Sequence, residues 1–463
     1  MTQFGGTLVG WFAVLIAVSI PLVGHTQEAR VKADDAAHSD YRPLPRRDTI
    51  LTGATILDGA GNRYRGDVLM RDGRIVATGE VKDPGNAFRI DATGRWVTPG
   101  IIDVHTHYGV FLLPQGETRT DYSDVTEVSE TNAAHTWIED AVRPSDPAFA
   151  YALASGVTTA QILPGSASMI GGRTLVVRPI PAVTVEQMRF PGAQRGLKFA
   201  CGGNPLNESS FPTSRQGLMA ALRRALGEGR EYAARPDNGE ERGERGRPRL
   251  NRAGDPRAAS IADAIAGRIP VHLHCYRADD IASWIATFRQ YGIERVTVHH
   301  ATEAYKIAPL LARNNVCVAL WADWWGFKRE AEDGIPENAA FVEAAGGCVT
   351  MHSDIPVLGT LLNIEAAKAA ASGRRAGIDI PPEQAIRWLT SNAARVLGLE
   401  DRIGTIAPDM IADVVLWSGD PFSINSKPDL VFIDGAIAFD RNDPGRQPRT
   451  DATLGQPARK GLE

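Results

Sequence analysis

The stretch that decides the reading is Pro99-Gly100-Ile101-Ile102-Asp103-Val104-His105-Thr106-His107. An apolar run leads into a His-x-His pair. Along a strand, side chains two apart share a face. His105 and His107 are thus expected to point the same way from the carboxyl end of one buried strand. In a barrel of parallel strands that end is the mouth where ligands bind. Two imidazoles on one rigid element suit zinc or a similar borderline metal. A bare His-x-His is common by coincidence, so the rest of the chain has to decide.

Outward from this point, short apolar runs recur at 96–104, 158–163, 174–177, 197–200, 271–275, 295–299, 316–321 and 348–351. Helix-like segments separate many of them, as at 278–288, 304–313 and 336–345. Eight strands with helices between them are the pattern of an α/β protein of the (β/α)8 TIM-barrel type, here over 99–401. Both flanks read differently. Strands are expected at 49–57, 67–70 and 74–78 with Asp72-Gly73 as a hairpin turn, and again at 412–417 and 430–433 with Asp434-Gly435. These pieces predict one small β-sandwich built from both chain ends, 48–98 and 402–440. A run rich in Arg, Glu, Gly and Pro at 227–256 is expected to be a solvated insertion of the barrel, and 441–463 a disordered tail.

The apolar segment 8–23 is shorter than the roughly 20 residues a membrane helix needs, and polar residues follow it. It reads as a signal peptide over 1–26 ahead of a polar linker at 27–47, and hence as export to the periplasm or beyond. An uncleaved membrane anchor is the alternative. Otherwise no stable membrane span is expected.

Composition narrows the chemistry. The 463 residues carry a net charge of −5, with no basic surplus to favour nucleic acid or anionic membrane. The four cysteines (Cys201, Cys275, Cys317, Cys348) form no Cys-x-x-Cys pair, which excludes cysteine zinc modules and thioredoxin-like redox chemistry. Lying in apolar runs, they read as buried thiols. Any metal must then be held by carboxylates and by some of the ten histidines. His274, His300 and Asp354 also close strand-like runs, so five candidates from four strands converge on one rim. Three further imidazoles lie nearby. His272 shares a face with His274 one pleat deeper, as a core or supporting group. His299 is expected to face away from His300, so that only one of the two reaches the rim. His352 precedes Asp354 by two residues.

With these residues in place, the sequence resembles the amidohydrolase superfamily of metal-dependent hydrolases, near its imidazolonepropionase-like and prolidase-like branch. The likeness runs from about Thr52 to Asp434. It is carried by the 99–107 motif, His274 with Arg277-Ala278-Asp279-Asp280, His300-Ala301-Thr302-Glu303, Ser353-Asp354, the late Thr390-Ser391-Asn392-Ala393-Ala394-Arg395-Val396-Leu397-Gly398, and Ala412-Asp413-Val414-Val415. The resemblance implies a distorted barrel holding one or two divalent ions, zinc above all. His105, His107 and Asp354 would hold the more buried ion, and His274 and His300 the second. Lys198, in Gly196-Leu197-Lys198-Phe199-Ala200-Cys201, would bridge them as a carboxylysine. A buried lysine with a depressed pKa has the neutral amine this requires. A metal-bridging hydroxide would attack, with Asp354 as proton shuttle.

The implied reaction is cleavage of an amide C–N bond in a small molecule such as a dipeptide, an N-acyl amino acid or a cyclic amide. Two alternatives stay open. One is a mononuclear deaminase of a heterocycle, although Arg277 stands where such enzymes carry Glu. The other is an exported, inactive barrel acting as a binding protein. Two departures from the family are visible: Gly202-Gly203-Asn204-Pro205 lacks the loop carboxylate of the usual Gly-Glu-Asn-Pro, and Tyr276 replaces a frequent histidine. Trp324 and Trp325, within 321–329, are candidates for an apolar substrate wall. Arg277, Lys328 and Arg173 are candidates for a substrate carboxylate. Beyond a small-molecule substrate no partner is implied, and a homo-oligomer is left open.

Overall fold

The computed structural model describes residues 39–113, 123–234 and 255–446. The expected signal peptide, most of the linker, the centre of the charged insertion and the tail beyond 446 lie outside the described residues. Among the described residues, no helix is long and apolar enough to cross a membrane.

The amino-terminal flank supplies β1 (Thr49–Leu57), β2 (Arg63–Arg71), β3 (Arg74–Gly79), β4 (Phe88–Asp91) and β5 (Trp96–Pro99). The β2–β3 hairpin turns at Asp72-Gly73, with φ of 50° and 81°. Two consecutive positive φ values match the right-handed twist of the strands, which is why Asp-Gly sits there. Gly100 then separates β5 from β6 (Ile101–Thr106). The run 96–104, expected as one strand, is thus two. A side chain at Gly100 would collide with Thr158, so glycine lets the chain leave one sheet and enter the next at close approach.

The centre contains β6, β7 (Val157–Ile162), β8 (Ile170–Arg173), β9 (Leu175–Val177), β10 (Leu197–Ala200), β11 (Val271–Cys275), β12 (Val296–His300), β13 (Cys317–Leu320) and β14 (Cys348–Met351). Strands β10 to β14 form a continuous parallel ladder, and β6 pairs in parallel with β7. The irregular place is the third. There β9 runs antiparallel to β7 while β8 runs antiparallel to β10, the chain changing partner at Thr174. Thr106 and Asp354 are bridged, and Asp354 N donates to the His105 carbonyl at 2.8 Å. This places the end of the eighth position against the first. The architecture is α/β and TIM-barrel-like.

The carboxyl-terminal flank adds β15 (Val414–Trp417), β16 (Pro428–Ile433) and β17 (Ala436–Asp440). Among the described residues these join the first flank in one hydrogen-bonded sheet, ordered β17-β16-β15-β5-β1-β2-β3 with β4 on β1. Its hydrophobic cluster draws on both ends of the chain, including Leu51, Ile56, Val68, Val97, Leu416 and Phe432. Arg178, just past β9, is buried and pairs with Asp413 at 2.8 Å and Asp434 at 3.3 Å, tying the central strands to this sheet.

Two expectations are corrected. The charged stretch begins later than 227, because the helix Arg215–Ala234 runs through its first eight residues. Leu218, Leu222, Ala225, Leu226 and Gly229 keep a buried face at helical spacing, and Gly229 packs on Ile261 of the helix Pro256–Ile265. The dense Arg and Glu of the opposite face hid that stripe. The cysteines are not thiols. Cys201 pairs with Cys275, and Cys317 with Cys348. Cys317 and Cys348 are register partners on β13 and β14. Cys201 and Cys275 follow the register pair Ala200 and His274 on β10 and β11. The Cα separations of 5.1 and 4.5 Å are those a disulfide requires. Separations of 74 and 31 residues along the chain concealed both pairings.

Candidate metal centre

The site is assembled around a buried carboxylate. Asp103, in the middle of β6, accepts from Ser353 Oγ (2.6 Å), Ser353 N (3.2 Å), Tyr108 Oη (3.0 Å) and His105 N (3.3 Å). Burial pushes its carboxyl up to about 6 even though these donors pull it down. The bonds fix the segment after β14 against β6 and so aim Asp354. That residue sits in the left-handed region with φ of 62°, a conformation aspartate tolerates better than most side chains.

His105 Nε2 and His107 Nε2 lie 3.3 and 3.4 Å from the same Asp354 oxygen, Oδ1. His107 Nδ1 donates to the Leu163 carbonyl at 2.9 Å, which leaves the lone pair of a neutral ring on Nε2. Two acceptors then face each other unless a proton or a cation lies between them. Lys198, buried on β10, donates to the Pro164 carbonyl at 2.9 Å, with Nζ 3.5 Å from His105 Nε2. Burial lowers its amine to about 7 against a weaker opposing pull from Asp354.

His274 ends β11 side by side with His300, ring centroids 4.4 Å apart. The expected opposition of His299 and His300 fails. His300 has φ of 71°, so the extended alternation stops before it and both rings turn inward, 4.7 and 5.0 Å from the His105 ring. His299 is engaged elsewhere: its Nε2 is 3.0 Å from His272 Nδ1, and His272 Nε2 is 3.0 Å from Gln161 Nε2. The deeper histidine is therefore a supporting group in a buried polar line.

The donor set fits a divalent ion. His105 Nδ1, His274 Nε2, His299 Nδ1, His300 Nδ1 and both nitrogens of His352 are buried without a hydrogen-bond partner among the described residues. Burial, reinforced for most by neighbouring charge, holds these imidazoles below their ordinary pKa, His272 and His352 at about 3. The neutral ring is the form that ligates. Among the described residues, two groups of three have donor atoms mutually within 4.8 Å: His105, His107 and Asp354, and His105, His300 and His352.

Aromatic rings wall the mouth. Trp321 stacks on His300 with centroids 4.3 Å apart, Trp324 stacks on Trp321 at 4.9 Å, and Phe327 meets Trp321 edge-on at 5.8 Å. Trp325 is 63% exposed. Lys328 lies 3.9 Å from the Tyr276 ring centre, donates to Asn204 Oδ1 at 2.5 Å and pairs with Glu330 at 3.2 Å. Arg277 turns outward to Asp279 on its own helix, and Arg173 is held by Asp263 and Ser260.

Sequence reasoning missed Glu330. Its Oε1 accepts from Gly203 N at 2.8 Å and from Arg215. The loop Gly202-Gly203, which lacks a carboxylate of its own, thus meets one from the seventh-strand loop. Both glycines matter here, because a Cβ at either would crowd the Glu330 carboxylate. The signal was faint: a Lys-x-Glu pair 125 to 127 residues downstream of the expected place (Gly203 to Lys328 and Glu330).

A model of the amidohydrolase family matches residues 219–439. An imidazolonepropionase from Bradyrhizobium sp. is 35% identical over 407 residues, covering 81% of this chain and 91% of that protein. The amidohydrolase tasK of Hapsidospora irregularis is 30% identical over 404 residues, and the chain spans only 40% of its length. Among solved structures, an amidohydrolase from Thermotoga maritima superposes with a TM-score of 0.76 at 32% identity, over 85% of this chain and all of that one. Its strand order, its histidines on successive strand ends and a relative matched over nearly its full length agree: the chain belongs to the amidohydrolase superfamily.

Proposed function

We propose that the protein is a metal-dependent amidohydrolase that cleaves the amide C–N bond of a small molecule such as a dipeptide, an N-acyl amino acid or a cyclic amide. The observation that carries this is the single Asp354 oxygen facing both His105 and His107 at 3.3 and 3.4 Å. His105, His107 and Asp354 would hold one ion, His274 and His300 a second, with Lys198 as a carboxylysine between them. Nitrogen and carboxylate donors favour zinc. A bound divalent ion supplies Lewis acidity toward the scissile carbonyl and lowers the pKa of water toward 7.

The chain's own residues do the rest. Burial tends to raise the Asp354 carboxyl, but in the metal-free site a proton shared with His107 and the nearby Lys198 amine outweigh it and hold it below its ordinary value. Asp354 is therefore ionised at neutral pH, ready to take a proton from the attacking water and hand it to the leaving amine. Trp321 and Trp324 offer an apolar face to the substrate, and Lys328 an ammonium for an anionic group. Arg277, committed to Asp279 where deaminases carry a glutamate, supports amide cleavage over deamination.

The domain reading goes with this function: a closed barrel over 99–401, carrying the site, and a flanking sandwich from both chain ends. Two disulfides support export to an oxidising compartment, in keeping with the signal-like amino terminus.

The test is a panel of dipeptides, N-acyl amino acids, lactams and amino-heterocycles given to zinc-loaded protein, with amine, carboxylate and ammonia release read separately. Asp354→Asn should lower kcat by about 10²–10⁴-fold while the circular dichroism spectrum stays that of the parent. Full turnover in that variant removes Asp354 from the mechanism. Ammonia without amine would establish deamination instead.

A further inference from the structure

The ligand set above leaves one buried imidazole without a task. His352 follows β14 directly and is completely buried, and neither of its ring nitrogens meets a hydrogen-bond partner among the described residues. Its ring centroid is 4.9 Å from those of both His105 and His300, and 5.0 Å from that of Trp321. The other two supernumerary histidines differ from it in kind. His272 and His299 bond to each other and, through His272, to Gln161; both His272 nitrogens and one of His299's thus serve a structural line, with His299 Nδ1 left over, whereas His352 has neither nitrogen engaged. A buried polar atom is ordinarily paired, and this imidazole, flanked by an indole and two other imidazoles, leaves a nitrogen open to a partner brought in from outside.

Position says what that is. One donor atom each from His352, His105 and His300 lie within 4.8 Å of one another, the same spacing that groups His105, His107 and Asp354. The two groups share His105. Because His352 stands two residues before Asp354, the bonds from Ser353 to Asp103 that aim Asp354 also hold His352 in place.

We infer that His352 is itself a metal ligand, joining His300 on the ion that His300 would hold beside His105, so that this chain brings one imidazole more to its centre than the family resemblance supplies. The inference rests on the metal-centre reading of the proposed function.

The test is cobalt(II) titration of the purified, metal-stripped full chain, read by visible absorption and by competition with a chromophoric chelator. His352→Leu should weaken binding of one cobalt equivalent by at least about tenfold and alter its d–d band, while the other equivalent stays at parental affinity. His352→Cys should recover binding and add a thiolate-to-cobalt charge-transfer band in the near ultraviolet. That band carries the test even where the leucine variant does not fold. Parental affinity and d–d spectrum in the leucine variant overturn the inference, as does a cysteine variant that binds cobalt without the new band. A parent chain that binds no cobalt overturns the metal-centre reading and this inference together.

Discussion

Carbon dioxide should control how well this protein holds its metal, and Lys198 is the reason. An ordinary lysine amine titrates at 10.5, whereas burial lowers this one to about 7. At pH 7 the unperturbed amine is neutral in about one molecule in 3,000 and the buried one in roughly half, a gain on the order of a thousandfold. Only the neutral amine has the lone pair that adds carbon dioxide. Its Nζ is already 3.5 Å from His105 Nε2, beside the proposed centre, so the anion formed lands where two cations would share it. Metal-stripped protein should be titrated with zinc in degassed buffer and in bicarbonate, with ¹³C-bicarbonate to label the carbamate for NMR. The second equivalent should bind at least about tenfold more tightly with bicarbonate. Lys198→Arg keeps a cation but cannot be carboxylated, so it should lose both the effect and the carbamate resonance. Equal zinc binding in the two buffers, with no labelled carbamate in the parent chain, would refute the reasoning.

Reduction of the disulfides should destabilise the fold, because loops of 74 and 31 residues are opened; the chain-entropy estimate is about 4 kcal/mol for each. A Cys317→Ser, Cys348→Ser double variant should show that loss in urea with its metal content unchanged, and an unaltered midpoint would count against a structural role. Arg178→Met strands Asp413 and Asp434 and should cost about 3–5 kcal/mol, measured by urea denaturation; a neutral result would mean those carboxyls find other partners. The metal-free protein should also be acid-sensitive. His272 and His352 titrate near 3 when folded and at an ordinary 6.5 when unfolded. The unfolded chain therefore takes up protons first as pH falls below 6.5, and stability present above 6.5 is lost progressively toward 3. Urea midpoints that rise between pH 7 and pH 5 would contradict this.

What the sequence disclosed was what rests on regular geometry. The period of two put His105 and His107 on one face, and the Asp-Gly pairs at 72–73 and 434–435 marked turns that do need positive φ. What it concealed rests on departures from regularity or on contacts between distant residues. Alternation misassigned His299 because His300 leaves the extended region. The run 96–104 looked continuous because nothing local shows that Thr158 presses on Gly100. The cysteines read as thiols because pairing depends on the register of adjacent strands, which a linear sequence does not show. Glu330 is the sharpest case: the carboxylate missing beside Asn204 is restored by a loop more than a hundred residues away, so a local motif comparison registers only its loss.

The buried imidazoles divide into two sets, and the division separates structure from chemistry. Gln161, His272 and His299 form a hydrogen-bonded line, with only Gln161 Oε1 and His299 Nδ1 left over at its ends, and such a line rigidifies the interior of the strands beneath the site. His105, His274, His300 and His352 keep nitrogens with no partner among the described residues. Each buried polar atom left unsatisfied costs about 1–3 kcal/mol, so a fold that held these rings only for packing would be better served by leucine. Their retention makes sense if the missing partner is a cation. In that case the free energy withheld from the metal-free protein is returned on binding, and metal affinity and fold stability are set by the same few residues. Asp103 joins the two, since the bonds that fasten Ser353 to the first central strand also aim both His352 and Asp354. Losing Asp103 would therefore loosen His352 and Asp354 together, although Asp103 itself need never touch an ion.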